Sequence, residues 1–411
     1  MSEILQKIQK VLEGYDLSQI TIAVLGGHSA LDVCRGAKKY GFRTVAVCQK
    51  GREKTYSKFY KYRQGLFNQP IGCVDEVIEV DSFADVVKPE VQEKLRAMNA
   101  IFVHNRYFWV YCDFKEVEKN FIVPIFGNRE YVRLEERDVP NNQYELLQKA
   151  GIRIPMLLRK GGDIHGRRLL EEKLDKHFVA DKGGPLIVKV NEAIRGYERA
   201  FFVVTTTEEY FDVSEKMIAR GIITQEDLDK SVIEEFIIGA QVNFNYFYCP
   251  FMRQVELMGT DMRRQTSLDG FLRLNAVVQT NLIKSGYKPT MIETGHVACT
   301  IKESLVQKAC ELGEQFVVTT AKELGRPITG PFALQGAVSS SDGKEELVIF
   351  DVSMRIPGSP GTAVTPYSGY LYGESMSFGE RIAMSLKAAE GNVEAIMQLV
   401  SGLSCKIFQN H

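Results

Sequence analysis

Short apolar runs that alternate with helical stretches constrain the fold of the first 126 residues more than any other feature. Residues 20–25 form one such run, which is rich in β-branched side chains and ends at Gly26-Gly27. Helical spacing of apolar residues follows from Ala30 to Tyr40. Further strand-like runs lie at 44–48, 77–80, 100–104 and 121–126. Because this alternation is typical of strand–helix–strand units, the sequence predicts a parallel α/β sheet.

The pattern changes near Gly127, where a charged and polar stretch replaces the alternation. Strand-like runs then occur in adjacent pairs, which predicts hairpins and hence an antiparallel or mixed sheet. These runs are 186–190, 200–205, 232–238, 241–248, 254–258, 332–338 and 346–352. Helices are predicted at 144–150, 304–324 and 379–390, the last as a closing helix. A chain of 411 residues exceeds one ordinary core, so we expect a domain boundary near Gly127.

Composition and charge are those of a soluble globular protein. Hydrophobic residues make up 45% and charged residues 25% of the chain, and the formal charge is -1, which gives no net attraction for nucleic acid or an anionic membrane. The chain has no run of about 18 apolar residues and no signal-peptide pattern, so a cytoplasmic location is expected. The eight cysteines are scattered without a CxxC pair, which predicts reduced, mostly buried thiols.

Two segments of the second half carry groups that suit a nucleotide. Lys189 ends an apolar strand beside a turn, where its ammonium could reach phosphates; a lysine that snorkels to solvent is the alternative. The apolar run at 232–247 is broken by Glu234-Glu235 and a glycine. Backbone groups and one carboxylate there could bind an adenine ring and ribose hydroxyls. An ordinary edge strand would explain this run about equally well.

A glutamine and an aspartate lie about fifteen residues apart on consecutive strand-like runs. If these runs pair as antiparallel strands, Gln335 and Asp351 share one face, and their oxygens are ligands that Mg²⁺ accepts. Arg355 follows four residues later. A carboxylate within an apolar strand needs a partner, and besides a metal this partner could be Arg355 or a lysine.

Together these features resemble the ATP-grasp superfamily. The segments GGHSALDVCRGAKKYGF, KAGIRIP, IEEFIIGAQVNFNYFY, ELMGTDMRR, IKESLVQKACELGEQFV and GPFALQ are similar to the archaeal formate-dependent ligases that convert 5-aminoimidazole-4-carboxamide ribonucleotide (AICAR) to its formamido product (FAICAR). They span nearly the whole chain. The resemblance implies a Rossmann-like pre-ATP-grasp domain at 1–127 and an ATP-grasp domain of two α+β subdomains at 128–411, with a lid subdomain at about 155–235.

The resemblance also implies roles for individual residues. The residues that fall on the family's ATP positions are Lys189, Glu234, Glu235, Phe236, Ile237 and Ser267. Mg²⁺ or Mn²⁺ would bind Gln335 and Asp351, and at the position of Asp351 the family usually has glutamate. Lys189 and Arg355 would contact phosphoryl oxygens. His28 and Ser29 fall on substrate positions at a helix N-terminus, where backbone N–H groups suit a phosphate. A structural or solvated histidine is the alternative.

The positions at which this sequence differs from the family's pattern are mainly those that would bind the second substrate. Arg106 takes the place of a serine, His296 that of an asparagine, and residues 353–362 differ. An arginine has a fixed charge and a long reach, so the acceptor, if it is not AICAR, would carry an additional anionic group facing Arg106. The alternatives are an Arg106 that turns outward to a surface carboxylate and one that grips the same ribonucleotide phosphate.

The predicted function is ATP-dependent ligation in purine biosynthesis, in which formate or another small carboxylate becomes an acyl phosphate and passes to the amine of AICAR. The expected partners are small molecules, and a homo-oligomer is expected. One rival is a paralogous carboxylate–amine ligase with another acceptor. Another is a non-catalytic nucleotide-binding protein. A dinucleotide enzyme is disfavoured because GGHSAL lacks the G-x-G-x-x-G pattern and no acidic residue closes the next strand.

Overall fold

The computed structural model describes residues 3–402 except 138, 162, 164–165, 180–182, 191–200, 342 and 359. The predictions for Cys405, for the start of the run at 200–205 and for part of 353–362 therefore lie outside the described residues. The described strands form a five-stranded parallel sheet, a four-stranded sheet, a five-stranded antiparallel sheet and one two-stranded hairpin.

The first 126 residues build the parallel sheet. Their elements are α1 (Glu3–Glu13), β1 (Thr21–Leu25), α2 (Ala30–Lys39), β2 (Arg43–Gln49), β3 (Arg63–Gln64), β4 (Pro70–Ile71), β5 (Glu76–Val80), α3 (Pro89–Ala97), β6 (Ala100–Val103), α4 (Arg106–Tyr111), α5 (Phe114–Lys119) and β7 (Ile125–Phe126). The sheet order is β5-β2-β1-β6-β7 with parallel pairing, which confirms the predicted parallel sheet. The predicted run at 121–126 is too long, because Pro124 has no N–H to donate to a ladder.

A four-stranded antiparallel sheet follows. Its elements are α6 (Gln143–Lys149), β8 (Leu157–Arg159), α7 (Gly166–Val179), β9 (Leu186–Lys189), β10 (Phe201–Val204), α8 (Thr207–Ala219), α9 (Gln225–Asp229) and β11 (Val232–Glu235). Because β11 pairs with both β8 and β9, it is an inner strand, and the edge-strand alternative for this segment is wrong. β11 ends at Glu235, so the predicted strand at 232–238 is also too long.

The remaining residues form the five-stranded antiparallel sheet and the C-terminal helices. These elements are β12 (Ala240–Cys249), β13 (Gln254–Gln265), α10 (Leu268–Phe271), α11 (Ala276–Lys284), β14 (Glu293–Cys299), α12 (Glu303–Leu324), β15 (Gly330–Ser341), β16 (Lys344–Ser353), α13 (Tyr367–Tyr372), α14 (Phe378–Ala388) and α15 (Val393–Ser401). The sheet order is β14-β13-β12-β15-β16. Gln335 is the direct Cα partner of Asp351, and the next pair is Gly336 with Ile349, so that a bulge in β16 leaves Phe350 without a Cα partner in β15.

The C-terminal helices return to the parallel sheet and join the two halves of the molecule. α14 packs so closely on α2 that a Cβ added at Gly36 would lie 2.0 Å from the carbonyl carbon of Gly379. In the same helix Arg381 is buried and donates from Nε and Nη2 to the carboxylate of Glu256 on β13, each at 2.7 Å. α14 is not the closing helix, because α15 follows it. These contacts fix β13 relative to the glycine turn before α2.

Two expectations from composition concern the chain as a whole. The seven cysteines in the described ranges are free, and five of them are buried, which confirms reduced, mostly buried thiols for these seven. Within the described part of the chain, no helix combines the length and apolar character needed to cross a bilayer.

Candidate active site

One cleft gathers side chains from both antiparallel sheets and from α4. Its main chamber has a volume of about 400 Å³ and adjoins a small chamber of about 20 Å³. The predicted residues that line the main chamber are Lys189, Glu234, Glu235, Phe236, Ile237, Gln335, Asp351, Arg355 and Arg106. His28 and His296 line the small chamber, which also includes Arg106, Gln335 and Arg355. Ser29 and Ser267 line neither chamber.

Lys189 is buried in the wall of the main chamber, so the snorkelling alternative is wrong. Its Nζ lies 2.6 Å from Oε1 of Glu234 and donates to the carbonyl of Phe350 at 2.9 Å and to the Tyr144 hydroxyl at 3.1 Å. Burial lowers the pKa of the Lys189 ammonium, and the Glu234 carboxylate opposes that shift. Glu234 also accepts a hydrogen bond from Tyr144. Its carboxylate is therefore engaged within the protein, and is not directed at a ribose.

The segment after β11 is held between neighbouring loops. The backbone N–H of Glu235 donates to the carbonyl of Met156 at 2.9 Å, and that of Phe236 donates to the carbonyl of Pro185 at 2.8 Å. A side-chain oxygen of Glu235 accepts from the N–H of Met156 at 3.3 Å. These hydrogen bonds fix the backbone at 234–237 in the cleft wall. A fixed wall of this kind can serve as a pre-formed surface for a flat ring.

Gln335 and Asp351 face a shared position for a cation. A guanidinium occupies it: Nη2 of Arg263 donates to Oε1 of Gln335 and lies 4.0 Å from Oδ2 of Asp351. Asp351 also forms an ion pair with the buried Arg137, whose Nη2 donates to Oδ1 at 3.0 Å. Among the described residues, the close ion pairs of Asp351 are therefore with arginines other than Arg355. Arg355 lies instead 3.6 Å from Oε2 of Glu135.

The donor set at this position fits a hard divalent cation. One amide oxygen and one carboxylate converge on it, and Mg²⁺ usually takes one or two carboxylates together with phosphate oxygens and water. No group of three or more His, Cys, Asp or Glu side chains forms a metal cage among the described residues. A bound Mg²⁺ or Mn²⁺ would therefore need phosphate oxygens to complete its ligands.

The small chamber is closed by the contact between the glycine turn and residues 357–358. A Cβ added at Gly358 would lie 2.5 Å from Nε2 of His28 and 3.3 Å from Nε2 of His296. The Ser29 hydroxyl, which makes no capping bond to α2, donates to the carbonyl of Pro357 at 2.7 Å. Burial, and then the charges of Arg355 and Arg106, lower the pKa of His28 to about 3. His28 is therefore neutral near pH 7.

His28 and Ser29 have φ angles of 31° and 48°, in the region that disfavours non-glycine residues. Asn105 stabilises this turn, because its Nδ2 donates to the carbonyls of Leu25 at 2.8 Å and Gly27 at 3.0 Å. Arg106 is the next residue, at the start of α4, and its side chain lines both chambers. The alternative that Arg106 turns outward is therefore wrong.

His296 is held between two carboxylates. Its Nδ1 lies 2.5 Å from Oδ2 of Asp261 and its Nε2 lies 3.0 Å from Oε1 of Glu293. Burial opposes the charged ring, but these two hydrogen bonds raise the pKa of His296 to about 9. Asn243 and Asn245 in turn donate to Asp261 at 2.9 and 2.6 Å. Both ring nitrogens are engaged, so His296 acts on the chamber through its charge.

Ser267 stands behind the wall of the main chamber. Its Oγ accepts from the backbone N–H of Thr290 at 2.6 Å, and Thr290 lines the chamber. The structure therefore gives Ser267 a supporting position, one residue removed from the main chamber.

Several side chains of the site were not predicted from the sequence. Those with the charges and contacts described above include Glu135, Arg137, Tyr144, Asn243, Asn245, Asp261, Arg263 and Glu293. For β13 a signal existed, because Asp261 and Arg263 are polar residues at strand spacing in the run that follows Met258. Arg137 and Glu135 lie in the charged stretch after Gly127, which indicated only a boundary.

Two family models match the chain. The first is described as a protein of unknown function (DUF1246) and matches residues 22–158. The second is described as a domain of unknown function (DUF1297) and matches residues 209–400. Between them they cover the whole five-stranded antiparallel sheet and all but the first residue of β1 in the parallel sheet. The four-stranded sheet is covered only in part, because β9 and β10 lie between the two matches.

Named relatives and solved structures are also similar. A 5-formaminoimidazole-4-carboxamide-1-(beta)-D-ribofuranosyl 5'-monophosphate synthetase of Methanocaldococcus jannaschii is 35% identical over 387 residues, which are 93% of this chain and 96% of the relative. The IMP biosynthesis protein PurP of Thermococcus kodakaraensis superposes with a TM-score of 0.62 at 22% identity, over 91% of this chain and 99% of that one. The ADP complex of an N5-carboxyaminoimidazole ribonucleotide synthetase gives a TM-score of 0.54 at 12% identity, over 88% and 78%. These superpositions show the ATP-grasp fold.

Proposed function

The chain belongs to the 5-formaminoimidazole-4-carboxamide ribonucleotide synthetase family, and from that premise we propose that it ligates formate to the amine of AICAR with consumption of ATP. The products are FAICAR, ADP and phosphate, and the reaction belongs to purine biosynthesis. The observation that carries this proposal is the convergence of Lys189, the Gln335–Asp351 pair and Arg106 on one cleft. A protein that only bound a nucleotide would not need that convergence.

ATP is proposed to occupy the main chamber. The backbone at 234–237 provides a wall for the adenine ring, as the family resemblance implies. Lys189 lies at the β16 end of the chamber, 2.9 Å from the carbonyl that precedes Asp351, and there its ammonium would meet phosphoryl oxygens. A Mg²⁺ or Mn²⁺ ion on Gln335 and Asp351 would neutralise phosphate charge when it is bound. Arg355, buried beside the same strand end, adds a fixed positive charge.

The chemistry needs no nucleophile from the protein. A formate oxygen attacks the γ-phosphorus and ADP leaves, which gives formyl phosphate. The AICAR amine then attacks the formyl carbon, the bond from this carbon to the phosphate oxygen breaks, and the amine nitrogen loses a proton. The protein contributes positioning and positive charge around a crowded anionic transition state. We propose that a lid at about 155–235 closes over the cleft and protects formyl phosphate from water.

The acceptor is proposed to bind across the small chamber and the start of α2. His28 is neutral there and can donate one hydrogen bond, while Ser29 fixes the turn through Pro357. In the lining of the small chamber Arg106, Arg263, Arg355 and the charged His296 outnumber the carboxylates of Asp261 and Glu293, so this side of the cleft is positive. That charge suits the 5′-phosphate of a ribonucleotide, so the serine-to-arginine change is compatible with AICAR.

The direct test is an assay with ATP, formate and AICAR in which ADP and FAICAR are quantified by chromatography. We expect equal amounts of the two products and a kcat/KM of about 10⁴ M⁻¹s⁻¹ or more for AICAR, a usual level for a physiological substrate. Omission of formate or AICAR serves as the control. Formate-dependent ADP release that is stimulated by another amine and not by AICAR would instead favour the paralogous ligase.

Three further expectations remain proposals. We place the pre-ATP-grasp domain at 1–127 and the ATP-grasp domain at 128–411. We also propose a cytoplasmic location, with which the seven free cysteines agree. The expected homo-oligomer would be tested by light scattering of the purified protein.

A further inference from the structure

A line of charged side chains joins the cation position to the small chamber. It begins at Gln335 and Asp351, which both face the guanidinium of Arg263. Nε of Arg263 lies 3.2 Å from Oε2 of Glu293, and the other oxygen of Glu293 lies 3.0 Å from Nε2 of His296. The ends of this line therefore belong to the two halves of the cleft, one for the nucleotide and one for the acceptor.

The far end of the line is rigid. The Asp261 carboxylate is buried and takes hydrogen bonds from Asn243, Asn245 and His296. His296 in turn holds Glu293. Burial opposes ionisation of Glu293, but its hydrogen bond from His296 and the charge of Arg263 lower its pKa to about 2. Glu293 is thus a fixed negative charge beside Arg263.

At the other end of the line, next to Gln335 and Asp351, the guanidinium of Arg263 can change its position. The side chain of Arg263 is 33% exposed, and it lines both chambers. A divalent cation on Gln335 and Asp351 would occupy the place of its guanidinium, and two cations repel strongly at such a distance. Glu293 then offers Arg263 an alternative partner that it already touches through Nε.

We propose that Arg263 is a positioning residue that couples cation–nucleotide binding to binding of the anionic acceptor. When a cation takes Gln335 and Asp351, the guanidinium withdraws toward Glu293 and the small chamber, where it adds a positive charge for the acceptor. The identity of the acceptor as AICAR rests on the proposed function. Because coupling between two binding sites is reciprocal, the acceptor strengthens nucleotide binding by the same factor.

The first test measures AICAR affinity by calorimetry with and without Mg²⁺ and the β,γ-imido analogue of ATP, without formate. In the wild type the nucleotide should tighten AICAR binding by about fivefold or more. In Arg263→Gln the factor should fall below about twofold, the lower bound of a resolvable coupling. Arg264→Gln is the matched control, because this neighbour points to the other face of β13, near Asp269, and should keep the wild-type factor.

Two results of this test would overturn the inference. One is a wild-type coupling factor that persists in Arg263→Gln. The other is a wild-type protein whose AICAR affinity is the same with and without Mg²⁺ and the nucleotide analogue, because the two sites would then not be coupled. Thermal melting of each variant checks that it is folded.

The second test needs no acceptor. Binding of Mn²⁺ in the presence of ADP is measured by electron paramagnetic resonance for the wild type and Arg263→Gln. Because Arg263 competes for the cation position, its removal should raise the Mn²⁺ affinity several-fold. An unchanged or weaker affinity would contradict the inference. If AICAR fails to bind the wild type, that result counts against the proposed function, while the Mn²⁺ measurement still decides the role of Arg263.

Discussion

At Asp351 one carboxylate stands between two arginines and the proposed cation. Asp351→Asn keeps the shape of the side chain and removes its charge, so we expect ATP turnover to fall by more than about 100-fold, a loss of several kcal/mol of transition-state stabilisation. The measurement is ADP release under saturating substrates. Turnover within about tenfold of the wild type would exclude the metal role.

Asparagine is the better replacement because Asp351 is also the partner of a buried arginine. Its oxygen lies 3.0 Å from Nη2 of Arg137, and an alanine there would remove both the charge and the acceptor, at a cost of about 3–5 kcal/mol of stability. The amide oxygen of asparagine can still accept the hydrogen bond from Arg137. A melting curve recorded for Asp351→Asn separates a loss of catalysis from a loss of fold.

His296 predicts a pH dependence of stability. Its pKa in the folded protein is about 9, above the ordinary value, so its stabilisation is fully present below a pH of about 6.5 and is lost as the pH rises through about 9. The free energy of unfolding of the wild type should therefore exceed that of His296→Asn at pH 6 by more than at pH 9.5. Urea unfolding at both pH values measures this difference. An equal difference at both values would show that the ring is not held charged.

The four-stranded sheet, which spans 157–235, is the element proposed to move. It carries Lys189 and the wall at 234–237, while the opposite wall belongs to β13, β15 and β16. Binding of Mg²⁺ and an ATP analogue should slow amide hydrogen exchange in β8, β9 and β11 by about tenfold or more, because closure lowers the population of open states. An unchanged exchange rate in these strands, under conditions in which nucleotide binding is demonstrated, would contradict the proposal that this sheet closes as a lid.

Helices and strands could be predicted from the sequence where neighbouring residues along the chain determine them. The β15–β16 hairpin follows from two adjacent apolar runs, and its pairing brings Gln335 opposite Asp351. β13 extends to Gln265, beyond the predicted Met258, because its second half alternates polar site residues that obscure a strand pattern. The roles of Arg137 and Arg263 depend on partners 214 and 72 residues away along the chain, which no local pattern reveals. The same holds for the contact of α14 with α2.

For the whole molecule, binding of ATP should depend on the cation. Gln335 and Asp351 hold phosphates only through a metal, so Mg-ATP should raise the melting temperature more than ATP in EDTA does. Equal shifts would count against the metal site. A larger shift with NAD than with Mg-ATP would revive the dinucleotide alternative.

We propose that this cleft joins formate to AICAR at the expense of ATP. The most direct measurement supplies ¹³C-formate, Mg-ATP and AICAR and follows the label by mass spectrometry together with ADP. We expect one ¹³C-labelled formyl group in FAICAR for each ADP released, and less than about one hundredth of the wild-type rate for both products in Asp351→Asn. Failure of the wild type to form labelled FAICAR, under conditions in which Mg-ATP protects it from thermal unfolding, would contradict it.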